Sequence, residues 1–200
     1  MLTLPFAMLM DNGAPWGDSG LEPFTRFTAW LMRLGIRVTH GRPYHPQTQG
    51  KDERFHRTLK REVLDQKSFH GLAECQQAFD RWRRIYNHER PHEALQLDTP
   101  SSRYRASPRS FPETLPAIEY WPGDTVRKVD AAARISFKNR SWKIGKAFRG
   151  QQVALRQTGE DGLFHVYFCA QKVGVIDLRA PDARGYVDIA AAMTTNPRQQ

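Results

Sequence analysis

His45-Pro-Gln-Thr-Gln-Gly-Lys-Asp-Glu53-Arg-Phe-His-Arg-Thr-Leu59 is the stretch on which the fold turns. A loop stiffened by Pro43 and Pro46 gives way to a helix, expected from about Thr48 to Gln66. Phe55, Leu59 and Val63 recur at i, i+4 and i+8 and form its buried side. Glu53 lies in the first two turns, roughly 200° round from them, with Arg57 and Lys60 on its own face. A carboxylate above two cations can hold a hard divalent ion beside a phosphodiester: the carboxylate takes the ion and the cations meet backbone phosphates. A solvated Glu–Arg pair, worth only ~0.2–0.5 kcal/mol, produces the same spacing. Both readings stand on this stretch alone.

Towards the N-terminus, the apolar run Phe6-Ala-Met-Leu-Met10 predicts a buried strand that ends at the turn Asp11-Asn12-Gly13. A carboxylate at a strand end protrudes into the crevice where α/β sheets commonly bind ligands. An Asx-turn uses an aspartate at such a place more often, and taken alone the signal is weak. Residues 14–23 are rich in Gly, Pro and Ser and predict a loop. Phe24, Phe27, Trp30, Leu31 and Leu34 then recur at helical spacing up to a terminating Gly35, and Ile36–Thr39 predicts a short strand. Beyond the Glu53 helix, Leu72, Cys75, Phe79, Trp82 and Tyr86 share one stripe of a helix over 71–88, closed by Pro91, and a shorter helical piece fits 99–105.

These residues carry a resemblance. The segment 1–105 resembles the second half of the catalytic core of retroviral-integrase-like DDE transposases of bacterial insertion sequences. Asp11-Asn-Gly13 matches the strand end that bears the family's second acidic residue. His45 to Leu59 is similar to the loop and helix that bear the third. Tyr86-Asn-His-Glu-Arg-Pro-His92, with Ala94-Leu95, Pro100 and Tyr104, resembles the signature that closes the core. The resemblance implies an RNase H-like fold and a two-metal phosphoryl transfer, in which Mg²⁺ or Mn²⁺ ions activate a water or a 3′-hydroxyl and stabilise the leaving oxygen. It makes Asp11 and Glu53 catalytic metal ligands. Arg57 and Lys60, with Lys51 and Arg54 beside them, become DNA contacts.

Two departures accompany it. Asp11 and Glu53 are 42 positions apart, longer than the family's usual gap of about 35, and the 14–23 loop can absorb the excess. The family's first aspartate lies on an earlier strand, and none of residues 1–10 can fill that role; Asp18 follows the motif and sits in a loop. The expectation is therefore a site that is impaired within these 200 residues, with a DNA-binding or multimerising remnant as the alternative.

Residues 106–118 hold three prolines and no clear period, which predicts a linker. From 119 to 185 the period turns to alternation. Short runs at Thr125–Val129, Arg134–Phe137, Ser141–Ile144, Gln152–Leu155, Leu163–Phe168 and Lys172–Leu178 are separated by turn signals such as Lys138-Asn139. A small all-β, SH3-like barrel is expected here, similar to the one attached to such cores, with Arg127, Lys128, Lys138, Arg140, Lys143 and Lys146 as its DNA-facing cations. A solvated basic edge on a stabilising appendage fits the same residues. A flexible tail is expected over 186–200.

The chain has a net charge of +9 and a pI near 9.9. The excess is spread: residues 1–40 hold three acidic and three basic side chains, 41–105 nine against thirteen, and 106–200 nine against fourteen. That distribution suits a polyanion spread along the surface better than a single basic tail would. Cys75 and Cys169 have no second cysteine at zinc spacing, so a reducing cytoplasm is the default. No apolar run approaches the ~18–20 residues that span a membrane. Phosphate-loop, dinucleotide and serine-nucleophile glycine motifs are missing, which removes those chemistries. His88 and His92 are four apart, but Pro91 breaks the helix that would align them on a metal. His45 sits where it could steer the loop near the metals or simply hydrogen-bond within it. The expected partners are DNA, Mg²⁺ and further copies of the chain as a homo-oligomer, with no membrane and no nucleotide cofactor.

Overall fold

The computed structural model describes residues 3–17, 22–41, 50–179 and 187. Asp18, His45, Pro46, the helix start near Thr48 and all of the 186–200 tail except Val187 lie outside the described residues. The chain is mixed α/β and divides into two compact units, Met1–Pro43 with Ser107–Gln200, and Tyr44–Ala106. The first unit thus joins residues on both sides of the helical segment, whereas the family order suggests a core over 1–105, a linker over 106–118 and a barrel over 119–185.

In the first unit, β1 (Ala7–Met10) and β2 (Arg37–His40) pair in parallel, with Met10 opposite His40. Between them runs α1 (Arg26–Arg33). Thr25 caps it and exchanges hydrogen bonds with Thr28 in a capping box. Gly35 ends it at φ +69°, and Gly35 N–H and Ile36 N–H donate to Met32 O and Leu31 O, so the last carbonyls are satisfied at a position that favours glycine. The expectation that β1 is buried is corrected. Met10 is buried and Met8 half-buried, but Phe6 and Leu9 are 63% and 52% exposed. A strand run of this kind is buried only where both faces are covered, and the described residues cover one.

The remainder of the unit is antiparallel. β3 (Thr125–Lys128), β6 (Gln152–Gln157), β7 (Leu163–Phe168) and β8 (Gln171–Asp177) form one sheet in that order. β4 (Arg134–Phe137) and β5 (Arg140–Lys143) form a separate hairpin. Lys138 and Asn139 make its two-residue turn, both at positive φ, which matches the strand twist. All six strands stand where alternation predicts them, but the two sheets are not joined into a closed barrel among the described residues. The chain turns between β3 and β4 through 130–133, where Asp130 exchanges hydrogen bonds with Arg134, and starts a new sheet there.

One continuous core runs through this unit. Leu31, Met32, Ile36 and Val38 join Trp142, Phe148, Leu155, Val166, Phe168 and Ile176, with Phe24 edge-on to Phe148 at 5.7 Å. Residues 107–118 are fastened to it. Leu4 N–H donates to Arg109 O at 2.8 Å, Arg109 donates to Pro5 O and Leu34 O, and Arg33 donates to Pro116 O.

The second unit holds α2 (Gly50–Leu59), a π-helical turn at Lys60–Leu64, α3 (Leu72–His88) and α4 (Pro100–Arg103). At 3.6 residues per turn, residues four apart drift by about 40° per step. The wider π turn reverses the drift, so Val63 returns to the side of Phe55 and Leu59 and is buried. Phe55 packs edge-on against Trp82 and Tyr86 at 5.4 and 5.3 Å. The α3 stripe begins later than its spacing predicts: Leu72 is 90% exposed, whereas Cys75 and Phe79 are half-buried. Among those residues no helix is long and apolar enough to cross a membrane.

Candidate functional site

In the first unit the site is the carboxyl end of the parallel pair. Asp11 follows β1 directly and is exposed; its Oδ1 accepts Gly13 N–H at 3.0 Å, closing an Asx-turn. Asn12 donates from Nδ2 to Gly41 O at 3.0 Å and ties the turn to the end of β2. Trp16 and Gly17 N–H both donate to Gly13 O at 2.9 Å. A Cβ on Gly17 would stand 2.8 Å from Asn12 O, so the close approach requires glycine. The turn is thus held at several points, with the Asp11 residue itself exposed.

His40 is the residue that sequence reasoning missed. It is buried on β2 beside this turn, and its Nε2 lies 3.2 Å from Trp16 O. A carbonyl only accepts, so that nitrogen carries the proton. Burial pushes the imidazole below its usual value, opposed by the Trp16 bond and by the charge of Asp11. The signal was the two-residue alternation Val38, His40, which points both side chains to one face.

In the second unit Glu53 stands in the first turn of α2 and is exposed, as are Lys51, Arg54, Arg57 and Lys60. Helical phase places Arg57 and Lys60 near Glu53, and puts Arg54 about 100° and Lys51 about 160° away. Behind this face Glu62 Oε2 accepts from Trp82 Nε1 at 2.7 Å and from Arg90 at 2.6 Å. The Arg90 guanidinium holds the Glu62 carboxyl below the usual carboxylate range, with help from Trp82 and against desolvation. Arg90 belongs to the Tyr86–His92 signature, and its task is to fasten α3 to the helix that carries Glu53. Tyr86 and His92 meet edge-on at 4.7 Å, while His88 is exposed.

An exposed carboxylate on each unit is the donor chemistry that a hard divalent cation takes. Among the described residues no group of three His, Cys, Asp or Glu side chains could hold one. The basic residues of the β region divide by partner. Arg127 donates to Ser136 O and Val126 O, Arg140 to Leu178 O, and Lys143 reaches Glu22 at 3.6 Å. Glu22 also accepts Lys146 N–H, so it neutralises part of the expected basic cluster. Lys128 and Lys138 are exposed, and Lys138 stands at the tip of the β4–β5 turn.

Residues 34–100 match the integrase core domain, which takes in Glu53, Arg57, Lys60 and Arg90 but not Asp11. The chain belongs to the integrase-core transposases of insertion sequences and carries domains from the C-terminal part of that architecture. Residues 124–184 match the C-terminal domain of IS481 family transposases, which takes in β3 to β8.

Proposed function

We propose that this chain serves metal-dependent DNA strand cleavage and transfer, the chemistry of transposition and integration, with Asp11 and Glu53 as ligands of Mg²⁺ or Mn²⁺. The observation that carries the proposal is the Asp11 turn: an exposed carboxylate at the carboxyl end of a parallel strand pair, fixed by Asn12 and Gly17. Such a place in an α/β sheet is where ligands bind. β1, α1 and β2 are read as part of an incomplete RNase H-like core, and β3 to β8 as an opened relative of the SH3-like barrel. The pairing of Asp11 with Glu53 on one metal centre rests on the family pattern.

The chain's own residues divide the work. Asp11 offers Oδ2 while Oδ1 keeps the turn closed, so ligation leaves the backbone in place. Glu53 offers its carboxylate from a helix locked by Glu62, Trp82 and Arg90. Arg57 and Lys60, and more laterally Lys51 and Arg54, meet the DNA backbone. Arg127, Lys128, Lys138 and Arg140, with a smaller part for Lys143, hold DNA at the β region. When bound, the ions activate the attacking oxygen and stabilise the leaving one. These 200 residues hold two of the family's three acidic positions, so cleavage by them alone is expected to be impaired.

Titration with Mn²⁺, followed by its paramagnetic effect on solvent water, tests the ligand assignment. Wild type is expected to bind the ion, and Asp11→Asn and Glu53→Gln are each expected to weaken binding at least tenfold, in line with loss of a charged oxygen ligand. Equal Mn²⁺ binding by all three proteins would sink the assignment. The alternative is a DNA-binding or multimerising remnant. It predicts salt-dependent DNA binding that Mg²⁺ neither strengthens nor converts to cleavage.

A further inference from the structure

We infer that the cleft between the end of β3 and the Arg149–Gly150 turn receives a phosphate of the DNA backbone, held by Lys128 and Arg149. The inference rests on the DNA-binding reading above and names a place on the surface for it. The cleft has a volume of about 640 Å³ and is lined by Lys128, Val129, Asp130, Ala131, Arg149 and Gly150. Arg149 lies outside the basic cluster that the sequence singles out.

Four observations support it. Lys128 and Arg149 are both exposed, and among the described residues neither side chain has an ion pair or hydrogen bond. Two arginines of this region do have partners: Arg156 makes a bidentate pair with Asp124, and Arg179 meets Asp177 and Glu160. Second, the floor is rigid. Val129 N–H donates to Gln151 O and Gly150 N–H to Val129 O, each at 2.9 Å, and Val129 is 1% exposed. Third, Gly150 adopts φ +76° and no atom lies within 4 Å of where its Cβ would be, which leaves open space for a ligand to approach the backbone. Fourth, the two cations outnumber the one carboxylate in the lining, whose Oδ1 is held by its own turn. Asp130 Oδ1 accepts Arg134 N–H at 2.8 Å and caps its own turn. Arg149 supplies a planar fork suited to two phosphate oxygens, and Lys128 a point charge beside it.

The test is the salt dependence of duplex DNA binding by the whole chain, read by fluorescence anisotropy on a random-sequence duplex. Each phosphate contact contributes about 0.9 to the slope of log K against log salt. Lys128→Gln/Arg149→Gln is expected to lower the slope by about 1.8, and Arg149→Gln alone by about 0.9, with unchanged thermal melting. Arg149→Lys keeps the charge and is expected to retain the slope. Lys172→Gln removes one charge from β8, at the far edge of the same sheet, and is expected to leave the slope unchanged. If the wild type binds DNA but the double variant has its slope, or Lys172→Gln costs as much as Arg149→Gln, the cleft assignment is overturned while the DNA reading stands. If the wild type binds no duplex at low salt, the DNA reading falls and the cleft assignment with it.

Discussion

Gln171 on β8 grips the backbone of Val38 on β2 from both sides. Its Oε1 accepts Val38 N–H at 2.9 Å, and its Nε2 donates to Val38 O at 2.6 Å. The side-chain amide therefore occupies the place of one residue of a neighbouring strand. The two positions are 133 residues apart, and the pair ties the parallel strands that present Asp11 to the antiparallel sheet. Both backbone groups are partly buried, so removing the amide leaves two polar atoms short of partners. Gln171→Ala is expected to destabilise this unit by about 1–3 kcal/mol. Denaturant unfolding is the measurement; a change below about 0.5 kcal/mol refutes the role.

A second prediction concerns acid. The folded-state pKa of Glu62 lies below its ordinary 4.5, with the Arg90 hydrogen bond as the largest cause. A depressed carboxylate contributes stability above its unfolded pKa, and that contribution fades as pH falls through the folded value. At neutral pH, Glu62→Gln is expected to cost about 1–2 kcal/mol. The gap between variant and wild type should close below about pH 4.5. Glu74, Asp124 and Asp177 are shifted in the same direction, so the difference between the two proteins carries the answer. A gap independent of pH would contradict it.

For Asp11, the turn and the metal can be separated. Asp11→Asn retains an oxygen that can accept Gly13 N–H, so unfolding free energy is expected to change by no more than about 0.5 kcal/mol. Mn²⁺ affinity should fall nonetheless. Loss of stability in step with loss of metal binding would make Asp11 a structural residue only.

In the β region, Trp142 is 1% exposed and its Nε1 donates to Phe137 O at 3.1 Å. Trp142→Phe removes ring volume and the Nε1 hydrogen bond to Phe137 O. A loss of about 2–4 kcal/mol is expected by calorimetry or denaturant melting. A near-neutral result would mean that the hairpin β4–β5 is not held by this side chain.

Much of the architecture was legible in local chemistry. The strands from Thr125 to Asp177 stand where short alternating runs predict them, β4 and β7 alternate in burial, and Lys138-Asn139 marks the hairpin turn that both residues adopt at positive φ. Gly35 closes α1 as the spacing before it requires. Glu53, Arg57 and Lys60 are all exposed on α2 and the turn after it, as helical phase predicts. These are short-range signals, fixed by backbone sterics and by periodicity within about ten residues.

Long-range facts were not legible. Apolarity in Phe6–Met10 does not say whether a second layer covers it, and Phe6 and Leu9 stand exposed. Alternation from 125 to 177 predicts strands but not their closure, because closure depends on how the 130–133 turn aims one sheet relative to the other. A basic cluster in sequence does not reveal that Glu22 reaches Lys143. His40 and Arg149 carry no motif at all.

The sequence by itself determined the residue types that can hold metal and phosphate, the strands and helices that bear them, and the order of motifs that marks an integrase-core transposase. Only the tertiary structure decided what each of those residues is bonded to. It locked the Asp11 turn to Gly41, set Glu62 and Arg90 behind Glu53, fastened β2 to β8 through Gln171, and gave Lys128 and Arg149 no partner among the described residues. The reason is physical: periodicity is written in neighbouring residues, whereas pairing, burial and charge neutralisation depend on groups that meet only after the chain has folded.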